Sequence, residues 1–260
     1  MSPVSIHPSA VVDPAAELDE GVVVGPHAVI MADVRIGSGC KVGASAVIQG
    51  PTQLGRDNVI YPMASIGGDP QDLKYSGEET SLEIGSGNRI REYVTINRGT
   101  AGGGGKTVVG DDNLLMAYTH FGHDCIVGSR SVFANAATLA GHVEVGNEAN
   151  IGAYSGVHQF CRIADHAFIG GYSVVTRDAM PWVLTVGNRA TSHGVNSVGL
   201  RRSGLSAETA RAIKQCYMTL FRSKMGLEEA MAQVREAYGE IPEIRYFLDF
   251  VRSSERGVCR

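Results

Sequence analysis

Residues 24–48 read VGPHAVIMADVRIGSGCKVGASAVI, and within this stretch an aliphatic residue stands at every sixth position. The same spacing extends outward in both directions. Apolar residues occupy eleven consecutive sixth positions over residues 6–66, three more in the same phase over residues 84–96, and twelve over residues 109–175. The next residue is often glycine, and small residues recur four places after the apolar one. A repeat of this length has to be interpreted before single elements are assigned.

The period of six decides the fold class. An α-helix returns its apolar residues every 3.6 positions and an amphipathic strand every second position, so this repeat fits neither alone and indicates short strands joined by tight corners. Hexapeptide repeats are typical of parallel β-helices, in which stacked coils bury one continuous core. The pattern resembles the left-handed hexapeptide β-helices, where three hexads form one coil of 18 residues. We therefore expect a left-handed parallel β-helix of nearly nine coils, all-β in this part of the chain.

Two segments interrupt the repeat, at residues 67–83 and 97–108, and both are polar and glycine-rich. We expect them to be loops that leave the coil. Loops on a rigid scaffold often carry functional residues, although an inert surface excursion is equally compatible with this pattern.

The repeat ends near residue 180, and the later sequence has a helical pattern. Ser206 is a possible N-cap and Pro242 suits a first helical turn. We expect the β-helix to occupy residues 1–190 and a C-terminal helical region to occupy 191–260. Three segments there have helical length and apolar returns at three or four positions: 206–222, 227–238 and 242–253.

Composition and charge exclude several classes of protein. The chain has 260 residues, 33 of them glycine, with 43% hydrophobic and 7% aromatic residues and a net charge of −4, which fits neither a disordered polyelectrolyte nor a collagen. No stretch approaches the roughly 20 apolar residues of a membrane span, and no secretory signal is evident, so we expect a cytoplasmic protein without a transmembrane segment. Five scattered cysteines without a CxxC pair argue against a disulfide framework or a cysteine zinc site.

The two parts of the chain differ in charge. Residues 192–260 carry 11 basic and 8 acidic side chains, net +3, and the remainder carries 12 and 19, net −7. The basic end is a candidate docking surface for an acidic partner. No basic face is interleaved with aromatic residues, so we expect no nucleic-acid binding.

The residues with the clearest chemistry are His123, Asp124 and Gly141. Gly141 follows His123 by 18 residues, so the coil would stack the two at about the 4.8 Å spacing of adjacent strands. A histidine accepts a proton near neutral pH, Asp124 could orient its ring, and a glycine N–H can stabilise an oxyanion. This set suits acyl transfer to a hydroxyl, although a lone histidine on a coil face is often only a solvated side chain.

Two other functions are compatible with the same fold. The nearby His120, His142 and His158 could ligate zinc, as in hexapeptide-fold carbonic anhydrases, but those ligands would have to converge across a subunit boundary. A non-catalytic scaffold would have no need for His123 beside Gly141. We expect no metal site.

Six stretches carry a resemblance to a known family that extends over nearly the whole chain, including the loops and the helical end. They are QDLKYSGEET (71–80), VTINRGT (94–100), DNLLMAYTHFGHDCIVG (112–128), NAATLAGHV (135–143), VHQFCRI (157–163) and GLRRSG (199–204). The chain resembles the UDP-N-acetylglucosamine O-acyltransferases, the first enzymes of lipid A biosynthesis. The resemblance implies a homotrimer with active sites in the clefts between subunits. There an R-3-hydroxyacyl group passes from acyl carrier protein to the glucosamine 3-hydroxyl, with no bound cofactor beyond the carrier's phosphopantetheine.

The resemblance also implies roles for individual residues. His123 would be the general base, Asp124 its partner and the Gly141 N–H the oxyanion donor. Gly171 would be the acyl-chain ruler, its missing side chain favouring a long chain. The UDP-sugar would contact Gln71, Asp72, Lys74, His120, His142, His158, Gln159 and Asn196, and the carrier protein would contact Arg201 and Arg202.

Three residues depart from the family pattern. Val198 stands where many members have a glutamate, Ser203 replaces a basic residue, and Asn97 replaces a histidine. Because Asn97 is expected near the sugar, a 3-amino-3-deoxy UDP-sugar acceptor stays open as an alternative. The N-acyltransferases one step later in the pathway carry an additional N-terminal uridine-binding domain, for which hexads beginning at Ile6 leave no room.

Overall fold

A computed structural model describes residues 3–260 of the chain, and its first three quarters form stacked three-sided coils. In chain order the strands are β1 (Ser5–Ile6), β2 (Val11–Val12), β3 (Glu17–Leu18), β4 (Val23–Val24), β5 (Val29–Ile30), β6 (Val34–Ile36), β7 (Lys41–Val42), β8 (Val47–Ile48), β9 (Thr52–Leu54), β10 (Val59–Ile60), β11 (Ser65–Gly68), β12 (Ser81–Ile84), β13 (Arg89–Ile90), β14 (Thr95–Asn97), β15 (Lys106–Val109), β16 (Leu114–Leu115), β17 (His120–Phe121), β18 (Ile126–Val127), β19 (Val132–Phe133), β20 (Thr138–Leu139), β21 (Glu144–Val145), β22 (Asn150–Ile151), β23 (Gly156–Val157), β24 (Arg162–Ile163), β25 (Phe168–Ile169), β26 (Val174–Val175), β27 (Val183–Gly187) and β28 (Ala190–Val195).

Every third strand belongs to the same face of the coil. The three parallel sheets run β1-β4-β7-β10-β13-β16-β19-β22-β25-β27, β2-β5-β8-β11-β14-β17-β20-β23-β26 and β3-β6-β9-β12-β15-β18-β21-β24. Paired residues such as Val132 and Asn150 are 18 apart in sequence, as the hexad repeat predicts. The architecture is the expected left-handed parallel β-helix with a helical C-terminal part.

The predicted apolar positions form the core. From Val24 to Val175 every one of them is buried, whereas the first three, Ile6, Val12 and Leu18, are exposed or half-buried because they belong to the terminal coil. Each coil turns at three corners, and the corner residue has a positive φ even when it is not glycine, as at Tyr118 with a φ of 65°. Left-handed backbone is unfavourable for such residues, so the coil packing enforces it.

One column of the core is polar. Asn58, Asn88 and Asn113 are buried on successive coils, and the side-chain oxygen of each accepts a hydrogen bond from the next coil's backbone N–H, for example Asn113 N to Asn88 Oδ1 at 2.9 Å. Their amide groups donate to carbonyls at the corners. The ladder satisfies backbone groups that would otherwise be buried without partners.

Two loops leave the coil, and they are shorter than the two expected segments. The first covers residues 69–80 and the second covers 98–105, because the flanking strands extend into the irregular sequence at both ends. The second loop contains a single turn of 3-10 helix at Ala101–Gly103, capped by the Thr100 side chain.

The coil ends in a hairpin that the periodicity did not predict. Strands β27 and β28 pair antiparallel, so the boundary expected at residue 190 falls inside this hairpin and the helices begin at residue 197.

The helices are α1 (Ser197–Arg202), α2 (Ala207–Arg222), α3 (Leu227–Tyr238) and α4 (Pro242–Arg252). Ser206 caps α2 and Pro242 begins α4. The helices share a second apolar cluster with the end of the coil, and this cluster includes Trp182, Tyr217 and Phe247. Among residues 3–260, no helix has both the length and the apolar run that crossing a bilayer requires.

Candidate active site

The structure stacks His123 on Gly141, one coil apart. His123 follows β17 and Gly141 follows β20, and these strands pair with His120 opposite Thr138 and Phe121 opposite Leu139. A Cβ atom at Gly141 would lie 2.5 Å from Cε1 and 2.7 Å from Nε2 of His123, so the imidazole lies directly against the glycine. Within residues 3–260, the Gly141 N–H has no hydrogen-bond acceptor, which leaves it free to bind a substrate oxygen.

Asp124 orients the His123 ring. The two are neighbours at a corner where Asp124 has a φ of 59°, and this conformation turns the carboxylate back to bond His123 Nδ1 at 2.7 Å. The Asp124 side chain is fully buried and that of His123 is 15% exposed. Because an ionised carboxylate only accepts, the ring proton sits on Nδ1 and Nε2 keeps a free lone pair. Nε2 is therefore the atom that can take a proton from a substrate.

His142 lies beside this pair on the next coil. Its Nε2 is 3.8 Å from Asp124 Oδ2, and its ring meets the His123 ring edge-on and stacks on Phe160 with centroids 4.4 Å apart. Burial lowers the pKa of His142, outweighing the raising effect of Asp124 and of Asp72. We therefore take His142 as neutral near pH 7, able to donate one hydrogen bond and accept another. The influence of Asp72 means that loop 69–80 brings this residue near the site.

His120 and His158 lie at the margins of the cluster. His120, on β17, pairs its Nδ1 with Thr95 Oγ1 at 2.7 Å, and burial together with His123 lowers the pKa of His120. His158 Nδ1 is 3.1 Å from the carbonyl of Gln159 and 3.4 Å from the guanidinium of Arg256. The family resemblance implies His120, His158 and Gln159 as contacts. His120 lies on the coil of His123, whereas His158 and Gln159 lie one coil beyond that of Gly141.

A cavity of about 510 Å³ extends from His142 toward the C-terminal segment. Phe160, Arg162 and Arg256 line it together with His142. Sequence reasoning missed Phe160 and Arg256. Phe160 follows His142 by 18 residues and could have been found from the coil spacing. Arg256 belongs to the C-terminal segment, whose position next to the coil no repeat predicts.

The remaining predicted contacts are spread over the molecule. Gln71 and Lys74 are exposed on loop 69–80, where Lys74 N donates to Asp72 Oδ1 at 3.0 Å. Gly171 precedes a different corner, where Tyr172 stacks on Tyr154. All of these belong to the coil part of the chain.

The predicted contacts in and next to α1 lie in two other cavities. Asn196 and Arg202 line one of about 350 Å³, at the edge of the coil that carries Arg130 and His166. Arg201 lines an apolar one of about 530 Å³ between α1 and α2. Asn196 also caps α1, with its Oδ1 accepting from Gly199 N at 2.9 Å. One chain therefore does not bring these residues to His123.

The metal alternative fits this geometry poorly. Within residues 3–260 the only group close enough to share an ion is His123, Asp124 and His142, and neither His120 nor His158 joins it. Both oxygens of Asp124 already accept hydrogen bonds, at 2.7–2.8 Å, from His123 and the loop at residues 98–105. A metal would have to displace these donors, so the arrangement suits an oriented imidazole better than an ion.

Comparison with known proteins identifies the family. The chain matches the family description "UDP N-acetylglucosamine O-acyltransferase; Domain 2" over residues 178–259 and "Bacterial transferase hexapeptide (six repeats)" over residues 33–68 and 106–141. It is 55% identical to the acyl-(acyl-carrier-protein) UDP-N-acetylglucosamine O-acyltransferase of Alkalilimnicola ehrlichii, over 98% of this chain and 99% of that protein. It is 52% identical to the enzyme of the same name from Burkholderia orbicola, at 98% and 99% coverage.

Solved structures agree over the full length. LpxA from Acinetobacter baumannii superposes with a TM-score of 0.95 at 41% identity, covering 98% of this chain and 99% of that one. LpxA from Bacteroides fragilis, a UDP-N-acetylglucosamine acyltransferase, superposes with a TM-score of 0.96 at 39% identity, covering 98% and 100%. With this fold and this degree of identity, the chain belongs to the UDP-N-acetylglucosamine O-acyltransferase family and is an acyltransferase.

Proposed function

We propose that this acyltransferase moves an R-3-hydroxyacyl group from the thioester of acyl carrier protein to the 3-hydroxyl of the glucosamine ring of UDP-N-acetylglucosamine, the first step of lipid A biosynthesis. Relatives that carry this activity in their names are 50–55% identical over nearly the full chain. The observation that carries the proposal is the free Nε2 of His123, backed by Asp124 and lying against Gly141.

The proposed mechanism uses His123 twice. Nε2 takes the proton of the sugar 3-hydroxyl while the hydroxyl oxygen forms a bond to the thioester carbon, and the carbonyl electron pair moves onto the carbonyl oxygen. The Gly141 N–H stabilises that oxyanion in a buried setting, where a fixed dipole is most effective. The intermediate then collapses, the carbon–sulfur bond breaks, and the imidazolium returns its proton to the leaving thiolate. The ionised Asp124 stabilises the imidazolium in between.

The sugar nucleotide would lie across the cluster, toward loop 69–80. Asp72 and the neutral His142 offer partners for sugar hydroxyls, and the exposed Lys74 offers a positive charge for a phosphate. His158 and Gln159 lie on the next coil beyond Gly141. His123 Nε2 then faces the sugar hydroxyl, and the Gly141 N–H on the adjacent coil faces the carbonyl oxygen of the thioester.

The contacts of Asn97 do not distinguish a hydroxyl acceptor from a 3-amino one. Asn97 is only 6% exposed, and its amide donates to the carbonyl of Asp69 at 2.8 Å, which ties β14 to loop 69–80. Within the part of the chain that the structure describes, Asn97 Oδ1 is buried without a hydrogen-bond partner, and it could accept a hydrogen bond from either a hydroxyl or an amine.

We further propose that the active unit is a homotrimer. Asp124 and His142 lie at one edge of the three-sided coil, whereas Arg130 and His166, beside Asn196 and Arg202, lie at another. Side chains at two edges of a prism can meet only when a second copy packs alongside. The carrier protein, which is acidic, would approach the basic α1 at Arg201 and Arg202. Gly171, where an added Cβ would press against the Ala153 carbonyl at 3.3 Å, presents no side chain to an acyl chain.

Acyl-carrier-protein thioesters of graded chain length, offered with UDP-N-acetylglucosamine or its 3-amino-3-deoxy analogue, test the proposal. Release of the carrier thiol and formation of the acylated nucleotide are measured together. We expect turnover with the hydroxyl acceptor and a preference for long 3-hydroxyacyl chains. Thiol release without an acylated nucleotide, or turnover only with the amino sugar, would contradict the proposed reaction.

A further inference from the structure

We infer that the glycine-rich loop at residues 98–105 supports the catalytic residues, and that Thr100 is a positioning residue that holds Asp124 against His123. This inference rests on the proposed function of His123 as the base. The sequence alone is compatible with either a functional loop or an inert surface excursion here. In the structure the loop contacts the Asp124 carboxylate, which orients the His123 imidazole.

Thr100 contacts both oxygens of Asp124. Its backbone N–H donates to Oδ1 at 2.8 Å, and its hydroxyl donates to Oδ2 at 2.7 Å, beside the His123 Nδ1–H at the same distance. The backbone N–H of Asp124 is fixed separately by the buried Thr107 hydroxyl at 2.8 Å. Of the three donors to this buried carboxylate, Thr100 therefore supplies two.

The direction of the Thr100 hydroxyl proton is determined by its second partner. Gly103 N donates to Thr100 Oγ1 at 3.1 Å, so that oxygen accepts on one side and its single proton must point to Asp124. The hydrogen bonds run in one direction from Gly103 through Thr100 to the carboxylate. With Asp124 held this way, its remaining accepting position faces His123 Nδ1 and fixes the ring tautomer.

The absence of a side chain at Gly103 allows the loop to approach the Asp124 carboxylate closely. A Cβ atom at Gly103 would overlap the carboxylate group of Asp124, so only glycine lets the 3-10 turn close over it. Gly103 has no positive φ, and its requirement is therefore space rather than backbone conformation. At Gly102, one residue earlier, an added Cβ would meet nothing within 4 Å. The two positions form a matched pair for testing.

Thr100 touches the carboxylate and not the substrate, so its loss should lower kcat and leave KM nearly unchanged. Thr100→Val keeps the shape but removes the hydroxyl donor, and we expect kcat to fall about 10- to 100-fold, the range for losing one charge-assisted hydrogen bond. Thr100→Ser restores the donor and should stay within about threefold of the wild type. Gly103→Ala should lower kcat as Thr100→Val does, and Gly102→Ala should not.

The ring tautomer gives a readout that does not depend on turnover. In protein labelled with 15N-histidine, and with the His123 signals assigned by their absence in His123→Ala, the wild type and Thr100→Ser should show Nδ1 protonated and Nε2 bare. Thr100→Val and Gly103→Ala should show averaged nitrogen shifts. Unchanged kcat and an unchanged tautomer in folded Thr100→Val or Gly103→Ala would overturn the inference. A wild type without transferase activity would instead overturn the proposed function and leave the tautomer test standing.

Discussion

At the scale of the residue, the structure makes His123 the group on which turnover depends. His123→Ala removes the only side chain that Asp124 orients beside the free Gly141 N–H, and we expect kcat/KM to fall about 10²- to 10⁴-fold, the usual contribution of a general base. His7→Ala, at an exposed position of the first coil, is the control for loss of a histidine. The wild type and both variants should have similar thermal unfolding midpoints. Turnover of His123→Ala equal to that of His7→Ala would rule out His123 as the base.

His120 links the site to pH-dependent stability. Burial and the neighbouring His123 lower the pKa of His120 below the 6.5 of an unfolded chain. Between the two values the unfolded chain binds more protons than the folded one, so the free energy of unfolding rises with pH through this window and no longer depends on His120 above it. His120→Gln should flatten that slope, as measured by urea unfolding below and above pH 6.5, whereas the exposed His193→Gln should not. An unchanged slope in His120→Gln would contradict this assignment.

The same residues show what the sequence could and could not predict. The His123–Gly141 contact follows from the 18-residue coil alone, because the stacking of corners is fixed by the repeat. Thr100 and Arg256 reach the site from segments without the repeat, 24 and 98 residues away from Asp124 and His158 respectively. The course of a loop depends on single hydrogen bonds rather than on periodicity, so these contacts needed the structure.

Among the elements, β24 carries Arg162, which links the C-terminal helices to the coil. Its Nε donates to the buried Asp178 at 3.1 Å, and its guanidinium also bonds the Phe250 carbonyl and stacks on the Phe250 ring. We expect Arg162→Met to lower the free energy of unfolding by about 2–3 kcal/mol, somewhat less than for a fully buried pair. Arg35→Met, which breaks an ion pair with Glu17 that is about two-thirds exposed, should cost at most about 1 kcal/mol. Equal losses in urea unfolding would contradict the linking role of Arg162.

The elements differ in how far sequence predicts them. The helices α2, α3 and α4 begin and end within one residue of the expected positions, because Ser206 and Pro242 mark their starts and apolar returns mark their lengths. The β27–β28 hairpin was not predicted. Its strands carry no hexad and bury alternate residues against the last coil and α2, so their pairing is set by tertiary contacts rather than by a local pattern.

A single chain holds the parts of the proposed site at different edges of the coil. His123 and Asp124 lie at one edge of the coil, and the exposed Arg202 lies beside another. In the proposed cyclic trimer each such edge would face the other kind on the neighbouring copy, so every active site would combine His123 of one protomer with Arg202 of the next. Light scattering should then give a mass three times the 27.5 kDa of the chain.

Mixed assemblies test this sharing directly. His123→Ala and Arg202→Glu should each be nearly inactive, the second because a reversed charge repels an acidic carrier protein. When the two variants are co-expressed with different tags and purified on both, every mixed trimer contains one junction that joins an intact His123 to an intact Arg202, so about one third of the wild-type activity should return. If each chain forms its own site, no mixed trimer has an intact one, and the activity stays at the level of the separate variants. Because each variant alone is nearly inactive, the third of the activity that returns measures how the sites are shared between chains.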